Sequence, residues 1–266
     1  MKTSTFALRA LFPVRVASVA ALGRPLLGLA LAGLALLTVS PSPTAARTLD
    51  DGAMLPRGDW RVLADFRDGS TLSRNFVERG AAQFVTTSGG LLQWEPSATN
   101  IYSIVYAQRG QPVPVRDPAV AVEFQLAGEG ASLGLHLHGS AEAEPSHLIL
   151  VSRSAADRGL IRAYRTPIWP SSSIPASHQI NSPLARLTHF PADEWYKLTV
   201  TTRSDEISGH TVLSVRLTTA DETLVGSMDA VDTGKPLPAG GLVALRIFGG
   251  AGARHQVRAL LGQPQP

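Results

Sequence analysis

Cysteine is absent from all 266 residues, so neither a disulfide nor thiolate chemistry is available to the chain. Aromatic residues make up only 6% and charged ones 17%. No internal repeat, coiled-coil heptad or sustained helical period occurs beyond the amino terminus, which excludes solenoids and helix bundles. No apolar run reaches the ~20 residues that cross a bilayer as a helix. The longest, 26–39, stops well short of that.

That run has a specific setting. Lys2, Arg9, Arg15 and Arg24 precede it and Thr44-Ala45-Ala46 follows it, the layout of a secretory signal peptide cut before Arg47. Residues 1–46 are therefore expected to be a signal peptide and 47–266 a single exported domain, periplasmic or extracellular. With no cysteine a lipoprotein anchor is not expected, and no integral membrane segment is expected after cleavage. Four of the 24 basic residues leave with the leader, so 20 remain against 21 acidic ones. A chain this near neutral lacks the clustered positive charge that a nucleic-acid partner requires.

What remains is strand-like. Short segments at 59–66, 82–87, 91–95, 101–108, 119–126, 133–138, 146–153 and 160–165 alternate or are β-rich between turns. The same holds at 195–202, 211–218, 223–230, 242–248 and 255–261. Ser88-Gly89-Gly90 marks a hairpin. The spacing predicts an all-β, two-sheet antiparallel jelly-roll sandwich. Between Pro167 and Asp193 five prolines break the pattern, while Ile168, Trp169, Ile174, Leu184, Leu187 and Phe190 make the segment too apolar for a free linker. It is expected to fold over part of the sandwich, with Trp169 as a candidate ligand contact.

The candidate site comes from strand alternation. Leu133, Leu135 and Leu137 alternate with Gly134, His136 and His138, so the histidines share the face opposite the leucines. If Leu148 and Leu150 point inward, His147 and Arg153 join that face, as do Arg162 and Tyr164 when Ile161 and Ala163 are buried. Such a set can hydrogen-bond hydroxyl groups and stack on sugar rings. An ordinary solvated sheet face is the plain alternative. His-x-His places two imidazoles ~6–7 Å apart on one side, but no carboxylate partner for them is legible, and neither metal nor cofactor is assigned. Ser132 sits in Gly130-Ala131-Ser132-Leu133-Gly134, yet it leaves a turn to enter a strand, the wrong context for a nucleophile elbow.

Several of these segments also carry a resemblance: Val62-Leu63-Ala64-Asp65-Phe66, Gly89-Gly90-Leu91-Leu92, Val120-Ala121-Val122-Glu123-Phe124 and Leu133-Gly134-Leu135-His136-Leu137-His138. The series continues with Trp195-Tyr196-Lys197-Leu198-Thr199-Val200 and Gly240-Gly241-Leu242-Val243-Ala244-Leu245. Together they resemble the concanavalin A-like lectin/glucanase jelly roll, and in particular secreted bacterial 3-keto-disaccharide hydrolase-type domains, with laminin-G-like domains more distant. The resemblance implies a carbohydrate partner held on a concave sheet face by Glu123, His136, His138, His147 and Arg153. It also implies an enzymatic alternative, glycoside cleavage with Glu123 and a histidine such as His136 as general acid and base. The paired-carboxylate Glu-x-Asp-x-x-Glu strand of the glucanases is absent. A structural envelope or adhesion domain is the third reading.

Overall fold

The structure is a computed structural model, and it describes residues 60–64, 66, 76–80, 85–96, 102–108, 119–139, 145–154, 157–168, 174–181, 183–205, 207–237 and 241–263. By its internal contacts the chain separates into Met1–Thr48 and Leu49–Pro266, and all described residues belong to the second unit. The expected signal peptide and Trp169 lie outside them. Among the described residues no helix is long and apolar enough to cross a membrane.

Among the described residues fifteen strands form in chain order: β1 Arg61–Ala64, β2 Phe76–Gly80, β3 Val85–Ser88, β4 Leu91–Trp94, β5 Tyr102–Gln108, β6 Ala119–Ala127, β7 Ser132–Gly139 and β8 Pro145–Ser154. Then follow β9 Arg158–Pro167, β10 Ala185–Leu187, β11 Tyr196–Ser204, β12 Thr211–Thr219, β13 Leu224–Asp232, β14 Leu242–Gly249 and β15 Arg254–Gln263. Every pairing is antiparallel. The first sheet runs β13-β12-β11-β6-β15-β4-β3, with β1 also on β15, and the second runs β10-β9-β8-β7-β14-β5-β2. This is the expected two-sheet jelly roll.

Alternation builds the core. Val120, Val122, Phe124 and Leu126 of β6 share one buried cluster with Leu133, Leu135 and Leu137 of β7. Ile149, Val151, Ile161, Ala163, Val243, Leu245 and Ile247 extend it across the second sheet, and Leu198, Val200, Leu213, Val215 and Leu217 across the first. Each sheet thus spends one face on the other and leaves one face over.

Turns follow from their residues. Gly89 and Gly90, at φ 60° and 83°, join β3 to β4 with Ser88 opposite Leu91, the two-residue hairpin expected there. Two strands escaped the sequence pattern, β2 and the three-residue β10. The latter pairs the end of the sheet inside the proline-rich segment, where an edge tolerates prolines nearby. Other described residues of that segment fold over the sandwich as expected. Ile168 packs on Ala244, Ile174 on Leu148, Leu150 and Tyr164, while Leu187 and Phe190 enter the main core.

Between β6 and β7, Gly128 holds φ 83°, and a Cβ there would lie 2.2 Å from the Gly252 carbonyl oxygen. Gly128→Ala should therefore lower stability by more than about 1 kcal/mol, from both strain and contact, in urea-denaturation curves.

Candidate functional site

The second sheet places the polar residues in rows. Across its strands His136 of β7 pairs with Leu148 of β8, which pairs with Tyr164 of β9, while Ala244 of β14 lies on the other side of His136. In the next row Arg246 pairs with Gly134, Gly134 with Leu150, and Leu150 with Arg162. All eight lie on the outer face, opposite the core residues that alternate with them. Arg162, Tyr164 and His136 are where alternation put them. Arg246 was missed, although Val243, Leu245 and Ile247 on the core side of β14 already turn it outward. Gly134 lets its neighbours close over the strand, since a Cβ there would come within 2.7 Å of Leu148 Cδ1 and 3.3 Å of both Leu150 Cδ1 and Arg246 Cβ.

Three expectations are corrected. In β8 the phase is reversed: Leu148 and Leu150 point outward, while Ile149 and Val151 enter the core together with the His147 and Arg153 side of the strand. The run Leu148-Ile149-Leu150-Val151 is apolar on both faces, so composition could not choose the phase, and pairing with β7 did. His138 does not follow His136. Its φ of 54° turns it out of the alternation, and its Nδ1 lies 3.0 Å from His147 Nδ1. Nor is the face solvated: His136 and Leu148 are 0% exposed and Arg246 1%.

Glu123 is also placed elsewhere. It projects from the outer face of the first sheet, so the whole sandwich separates it from His136. Packed sheets lie ~10 Å apart before any side chain is counted. The two groups therefore cannot flank one glycosidic bond.

The electrostatics of His136 are well defined. Ser146 donates its hydroxyl proton to the Thr166 carbonyl at 2.6 Å, so its oxygen accepts from His136 Nδ1 at 2.8 Å. Nδ1 carries the ring proton, and Nε2 is left as a lone pair. Nε2 is buried and has no hydrogen-bond partner. Burial strips the imidazolium of hydration and the Arg246 charge repels it, which lowers the pKa to about 3. Burial also brings Arg246 down to about 10 and raises Tyr164, the latter against the nearby Arg162 charge. The face thus offers a neutral acceptor beside cationic donors.

His147 belongs to a second cluster, between the sheets. Its Nε2 donates to Asp232 Oδ2 of β13 at 2.8 Å, and Arg165 of β9 donates to the same oxygen. The Gly234 amide donates to Asp232 Oδ1 at 2.9 Å. Burial pushes the Asp232 carboxyl up, but the bonds from His147 and Gly234, with the His147 and Arg165 charges, outweigh it and hold it at about 2. Asp232 is the carboxylate partner that could not be read from the chain, because it lies 85 residues away. Among the described residues no group of three His, Asp or Glu is placed to hold a metal. Arg153 caps the end of the sheet, donating to the Phe190 carbonyl and to Asp157 at 3.3 Å.

No protein-family profile and no curated protein matches the chain. Solved structures do. The chain is similar to the legume lectin-like domain from Entamoeba histolytica, at 10% identity and a TM-score of 0.50, over 80% of this chain and 100% of that one. It is similar to the Emp46p carbohydrate recognition domain in its metal-free form, at 10% identity and a TM-score of 0.55, over 79% and 100%. The potassium-bound form gives 11% identity and 0.54, over 78% and 100%. The fold is a lectin-like jelly roll. At such low identity the likeness extends to the fold and to no residue's role.

His136 and His255 set an acid limit on stability. Burial lowers His255 to about 4, only partly offset by its backbone hydrogen bonds, and both rings ordinarily titrate at 6.5. Their stabilisation is complete above pH 6.5. It is lost as the pH falls towards 4 and 3, because the unfolded chain then binds protons that the native state refuses. Unfolding free energy measured against pH should fall with a slope approaching two protons, ~1.4 kcal/mol per pH unit each. His255→Gln should remove one of them. Asp232 adds a loss from its ordinary 3.8 down through about 2. Asp232→Asn should cost about 3 kcal/mol at neutral pH by stranding Arg165 and His147, read from urea midpoints.

Proposed function

We propose that this chain binds a carbohydrate on the outer face of the second sheet, around His136, Arg246, Arg162 and Tyr164. The observation that carries the reading is the His136 Nε2 lone pair, buried with no partner beside an arginine. A buried acceptor left unsatisfied costs about 1–3 kcal/mol, and a ligand O–H satisfies it. A sugar hydroxyl donates and accepts at once, so one such group can serve His136 and a guanidinium together. Leu150 and Tyr164, 9% and 8% exposed, supply apolar surface of the kind a sugar face needs. The lectin-like fold, with a carbohydrate recognition domain among its structural neighbours, supports the same ligand class.

The layout of residues 1–46 supports action outside the cytoplasm after cleavage. Ile174, half-buried, packs on Leu148, Leu150 and Tyr164 at this face. A glycoside-cleaving role, as in 3-keto-disaccharide hydrolase-type domains, finds no support through Glu123 and His136, which project from opposite faces.

A glycan array probed with the purified protein, followed by titration calorimetry on the glycans retained, tests the reading. Arg162→Ala, at a half-exposed site, and His136→Ala should each weaken binding at least tenfold, about 1.4 kcal/mol. Melting curves establish that both variants fold. Equal affinity of wild type and both variants would rule the site out.

A further inference from the structure

The outer face of the first sheet holds a second constellation, which shares no residue with the site around His136. Gln125 of β6 pairs with Gln256 of β15, and Gln256 with Gln93 of β4. Because Tyr196 pairs with Phe124, the preceding Trp195 falls beside Gln125. Trp195, just ahead of β11, and Gln125, Gln256 and Gln93 of three adjacent strands thus form one half-exposed row. Adjacent strands lie ~4.8 Å apart, so the row is about 14 Å long.

The tryptophan end of the row is held in place. Arg258 lies over the Trp195 ring, 4.3 Å from its centroid, and donates from Nε to Glu123 Oε2 at 2.7 Å. The other oxygen of Glu123, Oε1, is buried with no hydrogen-bond partner. Beside the glutamines a shallow open cleft of about 40 Å³ is lined by Glu95, Gln125, Ala127, Asp193, Arg254 and Gln256. Gln125 Nε2 donates to the Asp193 carbonyl at 2.9 Å, which orients its amide on the cleft wall.

We infer that this row is a second carbohydrate site, which takes an extended neutral polysaccharide laid across the strands. Each glutamine amide both donates and accepts, as a hydroxyl does, and an indole face receives the apolar face of a sugar ring. The strand spacing matches roughly one sugar unit per strand. Two carboxylates and one guanidinium around the cleft disfavour an anionic polymer. A protein partner is not indicated, because the large exposed apolar side chains, Val62, Ile207, Leu224 and Val231, are not in this row. The inference shares its ligand class with the site around His136 but does not depend on that site.

Affinity electrophoresis of the purified protein through gels containing a mixed-linkage β-glucan, xylan or galactomannan tests it. Wild type should be retarded by at least one polymer. Trp195→Ala should abolish the retardation, Trp195→Phe should keep most of it, and Gln125→Ala/Gln256→Ala should weaken it at least tenfold. His136→Ala should leave it intact. Circular dichroism and melting temperature establish that each variant is folded. No retardation of wild type in any gel overturns the inference, and so does full retardation of the folded glutamine double variant. Retardation lost with His136→Ala but kept by the first-sheet variants also overturns it, while sustaining the site around His136.

Discussion

The pleat of two strands, β6 and β7, governs this molecule. Val120, Val122, Phe124 and Leu126 must leave water together with Leu133, Leu135 and Leu137, and a strand can bury alternate residues only by turning the others away. That pairing commits the inner faces of both sheets to the core. The chemistry left over then divides between two outer faces that cannot communicate through a single small ligand. Glu123 goes to one side and His136 to the other for this reason.

Polar groups inside the sandwich follow a stricter rule. His147, Asp232 and Arg165 meet between a strand of each sheet, where each needs the others to offset lost hydration. Their bonds tie the edge strand β13 to β8 and β9. His136 shows the opposite case: its ring proton is taken by the Ser146–Thr166 chain, and the remaining lone pair has nothing to accept from. One histidine is completed by the fold and the other is left available by it. On the first sheet, Glu123 repeats the pattern, with one oxygen on Arg258 and one unsatisfied.

Legibility tracked the clarity of alternation. β6, β9 and β7 as far as Leu137 alternate cleanly, and their inward and outward residues were placed from the chain. So were the Gly89-Gly90 hairpin and the apolar, proline-rich cover. Leu148-Ile149-Leu150-Val151 has no polar member to mark a face, so the phase of β8 was open until its neighbour set the register. His138 departs because one left-handed residue breaks the period. Arg246 was legible in principle, as an arginine flanked by Leu245 and Ile247, but only knowledge that β14 adjoins β7 gives it a site.

The sequence by itself determined the class of fold, the division of β6, β9 and β7 as far as Leu137 into core and outer residues, and the near balance of its charges, 24 basic residues against 21 acidic. Each is a local property, set by a two-residue period, a turn or a count of charges. Only the tertiary structure decided which outer face each polar group reaches, that Asp232 partners His147, and that Gln93, Gln125 and Gln256 fall in one row. Those facts depend on register between strands far apart in the chain, and register is set by the packing of whole faces.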